Sequence, residues 1–263
     1  MSLVAGRVLL TGATGGIGGA IARAFAERGA TLVLSGRRAD VLEPLANEVG
    51  GRAVVCDLSK REDVDRLLAE AGEVDVLVAN AANPASGALT ELSQEQIDRM
   101  LEVNLHAPIA IARALAPAMI SRGSGQMVFI SSLAGKVASP SSAIYSATKF
   151  GLRGFALGIR EDLRPHGVGV SVVLPGFIRE AGMFADANID LPRGVGTRTP
   201  EHVARAVIRA VERNRAEVEV APLGLRLGAG FASLAPELAA SVSRKIGSER
   251  IATDLAAGQA EKR

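Results

Sequence analysis

The sequence predicts an α/β protein whose parallel sheet is covered by helices on both faces. Three observations carry this. Short apolar runs alternate with helical stretches along the chain. The runs are near-continuously apolar, as strands buried on both faces must be. The first run passes through a glycine-rich turn directly into a helix. At 263 residues, 48% apolar and 22% charged, the chain can bury a full core as one domain.

Val8-Leu-Leu10 is the first strand, and Thr11-Gly-Ala-Thr-Gly-Gly16-Ile-Gly18 leads from it into a helix over Gly19 to Arg28. A strand, a glycine turn and a helix N-terminus together form a phosphate cradle. The glycines admit the backbone close to a pyrophosphate, and the first turn of the helix supplies amides and positive potential. Thr31-Leu-Val-Leu34 is the second strand, closed by Ser35-Gly-Arg-Arg38. In a nicotinamide nucleotide site an acidic side chain here holds the ribose 2′-hydroxyl, and an arginine holds a 2′-phosphate. Gly36 stands where the acid is expected and Arg37 follows, while Asp40 is placed to cap the next helix. Ser35, Arg37 and Arg38 are therefore candidates for a 2′-phosphate.

The third strand, Arg52 to Cys56, ends in Asp57-Leu58, and the fourth, Val74 to Ala79, ends in Asn80-Ala81-Ala82. A helical region from about Ser93 to Ile120 contains Asn104, and its internal Pro108 should bend or interrupt it. Gln126 to Ser131 is the fifth strand, followed by Ser132. Pro140 and Pro165 frame a helix over Ser142 to Arg164. Val168 to Leu174 is the sixth strand, ending in Pro175-Gly176. Thr199 as N-cap and Pro200 at the first helical position open a further helix, and Glu217 to Ala221 makes a seventh strand.

The chemistry centres on Ser132 to Lys149. Tyr145 is the only tyrosine, and Lys149 follows it by one helical turn, so both lie on one face. A free phenol ionises near pH ~10, and a fixed ammonium beside it is expected to lower that value. Such a tyrosine serves as general acid and base near neutral pH. The Ser132 hydroxyl is placed to meet the same substrate oxygen. A lone tyrosine and lysine at this spacing would equally describe a plain surface helix, so the pair is weighed with the rest of the chain. Other chemistries find little support. The single Cys56 excludes an internal disulfide or a cysteine metal cluster and reads as a buried, inert thiol. His106, His166 and His202 lack metal-ligand spacing and read as structural or exposed. A net charge of +2 with no basic run gives no case for nucleic acid. No apolar run reaches the ~18 residues of a spanning helix. The first residues lack the features of a signal peptide, so cytoplasm is the expected location.

With these residues in place, the chain resembles the short-chain dehydrogenase/reductase family over roughly residues 5 to 221. The TGxxxGxG turn matches Thr11 to Gly18, the adenine-side acid Asp57, and the NAG-like turn Asn80-Ala81-Ala82, with alanine for the usual glycine. The catalytic positions match Asn104, Ser132, Tyr145 and Lys149, and the PG turn Pro175-Gly176. The family's usual threonine in that last turn is replaced by Glu180. The resemblance implies a single Rossmann-like domain over residues 1–263, a doubly wound sheet of seven parallel strands, with the cofactor across the strand C-termini. It implies a cofactor site of Gly12, Thr14, Gly15, Gly16, Ile17, Gly18, Ser35, Arg37, Arg38, Asp57, Leu58, Asn80, Ala81, Ala82, Tyr145, Lys149, Pro175, Gly176 and Ile178. By that resemblance Tyr145 protonates a carbonyl oxygen as hydride arrives, Ser132 hydrogen-bonds it, Lys149 lowers the Tyr145 pKa and holds the ribose, and Asn104 anchors a water.

The expected function is NADP(H)-linked reduction of a carbonyl, or oxidation of the matching alcohol, with NAD(H) as the alternative cofactor. A non-catalytic nucleotide-binding redox sensor on the same fold is the competing class, opposed by the four occupied catalytic positions. The loop from Phe177 to Arg198 is expected to wall the substrate pocket. It offers Phe177, Ile178, Met183, Phe184, Ile189 and Leu191, which favours an apolar acyl, lipid or steroid substrate. The resemblance further implies a homodimer or homotetramer. In the extension 222–263, Leu223, Leu227, Phe231 and Leu234 recur at helical spacing, as do Leu238, Val242 and Ile246, while Gly224, Gly228 and Gly230 weaken a single helix. The favoured expectation is a helix closing the core or a subunit contact. The second is a lid or membrane-surface helix with Arg226, Arg244 and Lys245 towards headgroups.

Overall fold

The computed structural model describes residues 2–83, 86–180, 196–238 and 241. Seven strands form one parallel sheet: β1 (Arg7–Thr11), β2 (Thr31–Gly36), β3 (Arg52–Val55), β4 (Val76–Ala79), β5 (Gly125–Ile130), β6 (Val168–Pro175) and β7 (Glu217–Val220). Their order is β3-β2-β1-β4-β5-β6-β7. The chain thus builds outward from β1 in one direction and returns to build in the other. The crevice at the carboxyl ends of β1 and β4, where the direction reverses, is the topological place for a ligand in such a sheet.

Alternation within each strand sorts its side chains between two cores. Val8 and Leu10 of β1 and Leu32 and Leu34 of β2 share one core with α1 (Gly16–Ala26), α2 (Ala39–Glu48) and the helix over Pro200–Arg213. Leu9, Val33 and Phe129 share the other with α3 (Arg61–Ala71), α5 (Ala107–Arg122) and α6 (Ala143–Leu163). Between α3 and α5 lies α4 (Gln94–Leu101); the Pro200–Arg213 helix is α7, and α8 spans Leu223–Leu234. The strands read as continuous apolar runs because each face has its own helical cover. At the edge, β7 alternates Glu217, Val218, Glu219 and Val220, and charge on an edge strand discourages further pairing.

The helical region expected around Asn104 is divided. A capping box at Ser93 starts α4, a π-helical turn occupies Glu102–His106, and α5 resumes at Ala107. Pro108 gives the reason: in a regular helix its N–H would return to the carbonyl of Asn104, and proline has none. The 94–122 stretch is long and apolar enough to cross a membrane by length and composition, but here it packs Ile111, Ala112, Leu115 and Met119 into the second core. The fourth strand starts at Val76, and the Asp75 carboxylate before it accepts the Arg7 amide at 2.8 Å. In the extension, α8 forms in spite of its glycines and ends before Pro236. Val242, Arg244, Lys245 and Ile246, like Met183, Phe184, Ile189 and Leu191, lie outside the described residues.

Candidate active site

The crevice opens where β1 ends. Gly12 has φ +68°, the left-handed region that favours glycine, and a Cβ there would lie 2.6 Å from the Ala81 Cα. A Cβ on Gly18 would lie 2.2 Å from the Gly12 carbonyl oxygen. The turn therefore folds back on the first turn of α1 with no room for side chains. Gly15 is the N-cap and offers no side-chain cap, so the first amides of α1 remain open to an anion. Asn80 braces the turn: its amide donates to Thr11 and Gly12 carbonyls at 3.2 and 3.0 Å, and the Thr11 hydroxyl accepts the Asn80 and Ala81 amides at 3.2 Å. Thr11, the first residue of the glycine motif, is a positioning residue whose partners the sequence does not show, because its part depends on β4 lying beside β1.

At the end of β2, a Cβ on Gly36 would meet the Thr14 methyl at 2.6 Å. Glycine here is what lets the turn and β2 approach, so no carboxylate occupies this position. Arg37 is exposed, and Arg38 reaches back to the Thr14 carbonyl at 2.6 Å. Ser35 is buried, on the strand face of Cys56, and is not brought to the turn surface beside Arg37. Burial pushes the Cys56 thiol up to about 11, against the lowering effect of the Ser35 hydroxyl, so the cysteine is an inert core thiol. Asp57 sits beyond β3. Burial would raise its pKa, but the Ser59 amide and hydroxyl, at 3.1 and 2.8 Å, and Arg99, at 3.0 Å, hold it below the usual carboxylate value. Leu58 is buried beside it. A nicotinamide dinucleotide fits this set of groups: a closed glycine cradle, an uncapped helix end, and a free arginine without a competing acid.

Ser132, Tyr145 and Lys149 meet at the ends of β5 and β6. The Ser132 hydroxyl accepts the Ala134 amide at 3.1 Å, donates towards the Pro175 carbonyl at 3.4 Å, and lies close enough to the Tyr145 phenol to favour its phenolate. Tyr145 is 8% exposed. Lys149, buried with it, donates to the Ile130 carbonyl at 2.9 Å, with Nζ 5.6 Å from the phenol ring centroid. The expected lowering of the Tyr145 pKa by Lys149 is not found. Burial raises the phenol to about 12, and only the Ser132 hydrogen bond opposes it. Burial also depresses Lys149, to about 8. Desolvation disfavours both charged forms.

Asn104 is fully buried inside the π turn. Its carbonyl accepts the Asn83 amide at 2.6 Å, and its amide donates to the Asn83 carbonyl at 3.0 Å and towards Thr148 at 3.4 Å. It therefore ties the segment after β4 to α6. π turns of this kind often mark functional sites. Asn83 and Thr148 are not legible in the sequence, since both act across long separations.

The remaining predicted positions are spread along the rim. Gly176 donates its amide to the Val220 carbonyl at 3.1 Å and packs against Leu133 and Ala221. Ile178 is buried in the first core and bridges to Arg198. Glu180 has φ +70° and turns an exposed carboxylate to Arg179 at 3.2 Å. His106 pairs with Glu102, His166 is exposed, and His202 takes part in the start of α7. All three are structural or exposed, as their scatter in the sequence implies.

Comparison with known proteins agrees with this geometry. A family model described as short chain dehydrogenase matches residues 7–191. A ketoacyl reductase, HetN, of Nostoc sp. is 37% identical over 81% of this chain and 77% of its own length. Dehydrogenase/reductase SDR family member 7B of Xenopus laevis is 34% identical over 91% of this chain and 81% of its own. Among solved structures, a short-chain dehydrogenase from Sphingobium yanoikuyae in complex with NADPH is 30% identical. It superimposes with a TM-score of 0.76 over 86% of this chain and 92% of its own.

Proposed function

The chain belongs to the short-chain dehydrogenase family, and on that premise we propose that it reduces the carbonyl of an apolar small molecule, or oxidises the matching alcohol, with NADP(H). The observation that carries the chemistry is the meeting of Ser132 with the buried Tyr145, with Lys149 behind them. When bound, the nicotinamide supplies or accepts the hydride. The chain's own residues handle the proton. Tyr145, neutral up to high pH, is an acid that donates to the carbonyl oxygen, and Ser132 holds that oxygen by a hydrogen bond, so negative charge developing on it is met by two donors. Lys149 spends one N–H on Ile130, leaving the others for hydroxyl groups of a bound ribose. Asn104 keeps Asn83 and α6 in register.

The preference for NADP(H) is supported by Arg37, exposed beside a β2 end without an acid, and by the NADPH bound in the Sphingobium relative. Leu101 and Phe150, exposed on α4 and α6, support assembly as a homodimer or homotetramer. The direct test is carbonyl-dependent oxidation of NADPH across ketones of increasing apolar length. Turnover that Tyr145→Phe lowers by ~10²–10⁴ supports the reading. Cofactor binding without turnover on any carbonyl would refute it.

A further inference from the structure

We infer that α8 docks on an anionic lipid bilayer, with the arginine cluster beside it taking headgroup phosphates. The helix is inverted with respect to its own protein. Its small residues meet the body: Ala229 is buried, and the Ser233 hydroxyl donates to the Lys136 carbonyl at 3.2 Å. Its large apolar residues face outward. Leu223, Leu227, Phe231 and Leu234 are 64%, 66%, 50% and 87% exposed, and Leu238, past the break at Ala235, is exposed too. At ~100° per residue these four fall in a sector of about 80°, opposite Ala229. A globular helix turns such a stripe inward, and a contiguous exposed apolar patch marks an interaction site.

The charge beside the stripe identifies what covers it. Arg226 stands at its edge and bonds Glu219 at 2.9 Å. Beyond it, Arg209, Arg213 and Arg215 line a cavity of about 250 Å³ together with Glu217, Val218 and Glu219. Those glutamates are already held, Glu217 by Lys136 and Arg153, and Glu219 by Lys136 and Arg226. Among the described residues no carboxylate pairs with Arg209, Arg213 or Arg215. Three guanidiniums that form no ion pair among the described residues, in a cavity reaching Arg226 of α8, together with the apolar stripe match the interface of an anionic bilayer, where acyl chains receive the stripe and phosphates the forks. A second copy would cover the stripe, but the glutamates beside it are already held, so the same patch brings no free carboxylate to the arginines.

The inference goes beyond the proposed reaction, and its test needs no turnover. The full chain is sedimented with phosphatidylcholine vesicles and with phosphatidylcholine–phosphatidylglycerol vesicles. Binding to the anionic vesicles, weakened by salt, is expected. Leu227→Ser with Phe231→Ser, and separately Arg209→Glu with Arg213→Glu, should each lower it at least about tenfold. These side chains are on the surface, so unchanged melting and NADPH binding will show that the variants fold. A chain that stays in the supernatant with both vesicles overturns the inference. So does binding that survives the arginine changes, or a dimer broken by the Leu227 and Phe231 changes in a protein that ignores vesicles.

Discussion

Lys149 holds its ammonium 5.6 Å from the centre of the Tyr145 ring, yet its hydrogen bond runs to the Ile130 carbonyl at 2.9 Å. Its charge is therefore buried with one acceptor, and burial depresses its pKa from 10.5 to about 8. The unfolded chain keeps this proton up to its ordinary value and the folded chain releases it earlier. Between those values the unfolded state binds more protons, so this residue makes stability rise with pH. Raising pH from about 8 towards 10.5 should stabilise wild type relative to Lys149→Met. Parallel melting curves of the two proteins across that window, in the absence of cofactor, measure the difference. Curves with the same pH dependence would show that Lys149 is not charged against a burial penalty.

Arg37 should decide between the two nicotinamide cofactors. It is exposed at the end of β2, and the Gly36 contact with Thr14 keeps a carboxylate out of the neighbouring position. A charge-assisted bond to a phosphate contributes ~1.5–3 kcal/mol. Arg37→Asp should therefore raise the KM for NADPH by roughly 10- to 150-fold and leave that for NADH unchanged or lower. Steady-state kinetics with both cofactors reads this directly. A wild-type kcat/KM for NADH equal to or above that for NADPH would reverse the assignment.

Asn104 should matter to the fold as well as to activity. It accepts from and donates to the backbone of Asn83, a two-way bond that only an amide makes. Asn104→Ala leaves a buried donor and acceptor unpaired, at a cost of ~1–3 kcal/mol for each group. Asn104→Asp keeps the acceptor but sets a carboxylate against the Asn83 carbonyl. Denaturant titration should show both variants destabilised, together with lost turnover. A variant that loses turnover at wild-type stability would place Asn104 in the chemistry alone.

The sheet was legible because its strands are apolar along their whole length and its turns carry glycine and proline where the chain must change direction. The glycine cradle, Tyr145, Lys149 and Ser132 were legible for the same local reason: each lies at a fixed offset from an element end. Three things were not. Thr11 and Asn83 act through partners about 70 and 21 positions away, and sequence spacing does not show such pairs. The break before α5 follows from Pro108, but its π form does not, since a proline equally kinks or ends a helix. The sign of the Tyr145 shift depends on burial against charge, and helical spacing gives the charge without the burial.

Tyr145 itself is open to direct reading. It is the one tyrosine in a chain without tryptophan, so the tyrosinate absorbance of the protein comes from this side chain. Burial raises it to about 12 while Ser132 lowers it somewhat. Its folded pKa lies above the unfolded value of ~10. The neutral phenol is thus retained to higher pH in the fold, and stability present below pH ~10 is lost as pH rises towards the folded value. At pH 11 the folded, cofactor-free protein should show about a tenth of the full tyrosinate signal, where an unfolded chain shows about nine-tenths. Ser132→Ala should shift the titration further upward, because it removes the hydrogen bond that favours phenolate. Lys149→Met should leave it in place, because the ammonium is turned to Ile130. Addition of NADP⁺ should move the titration down, since a bound cation favours phenolate. Circular dichroism at each pH distinguishes the folded signal from alkaline unfolding, and Tyr145→Phe should show no signal at all. A folded, cofactor-free protein that titrates near 10 or below would mean that the phenol is stabilised as phenolate before any cofactor arrives, against the geometry of Lys149 and Ile130.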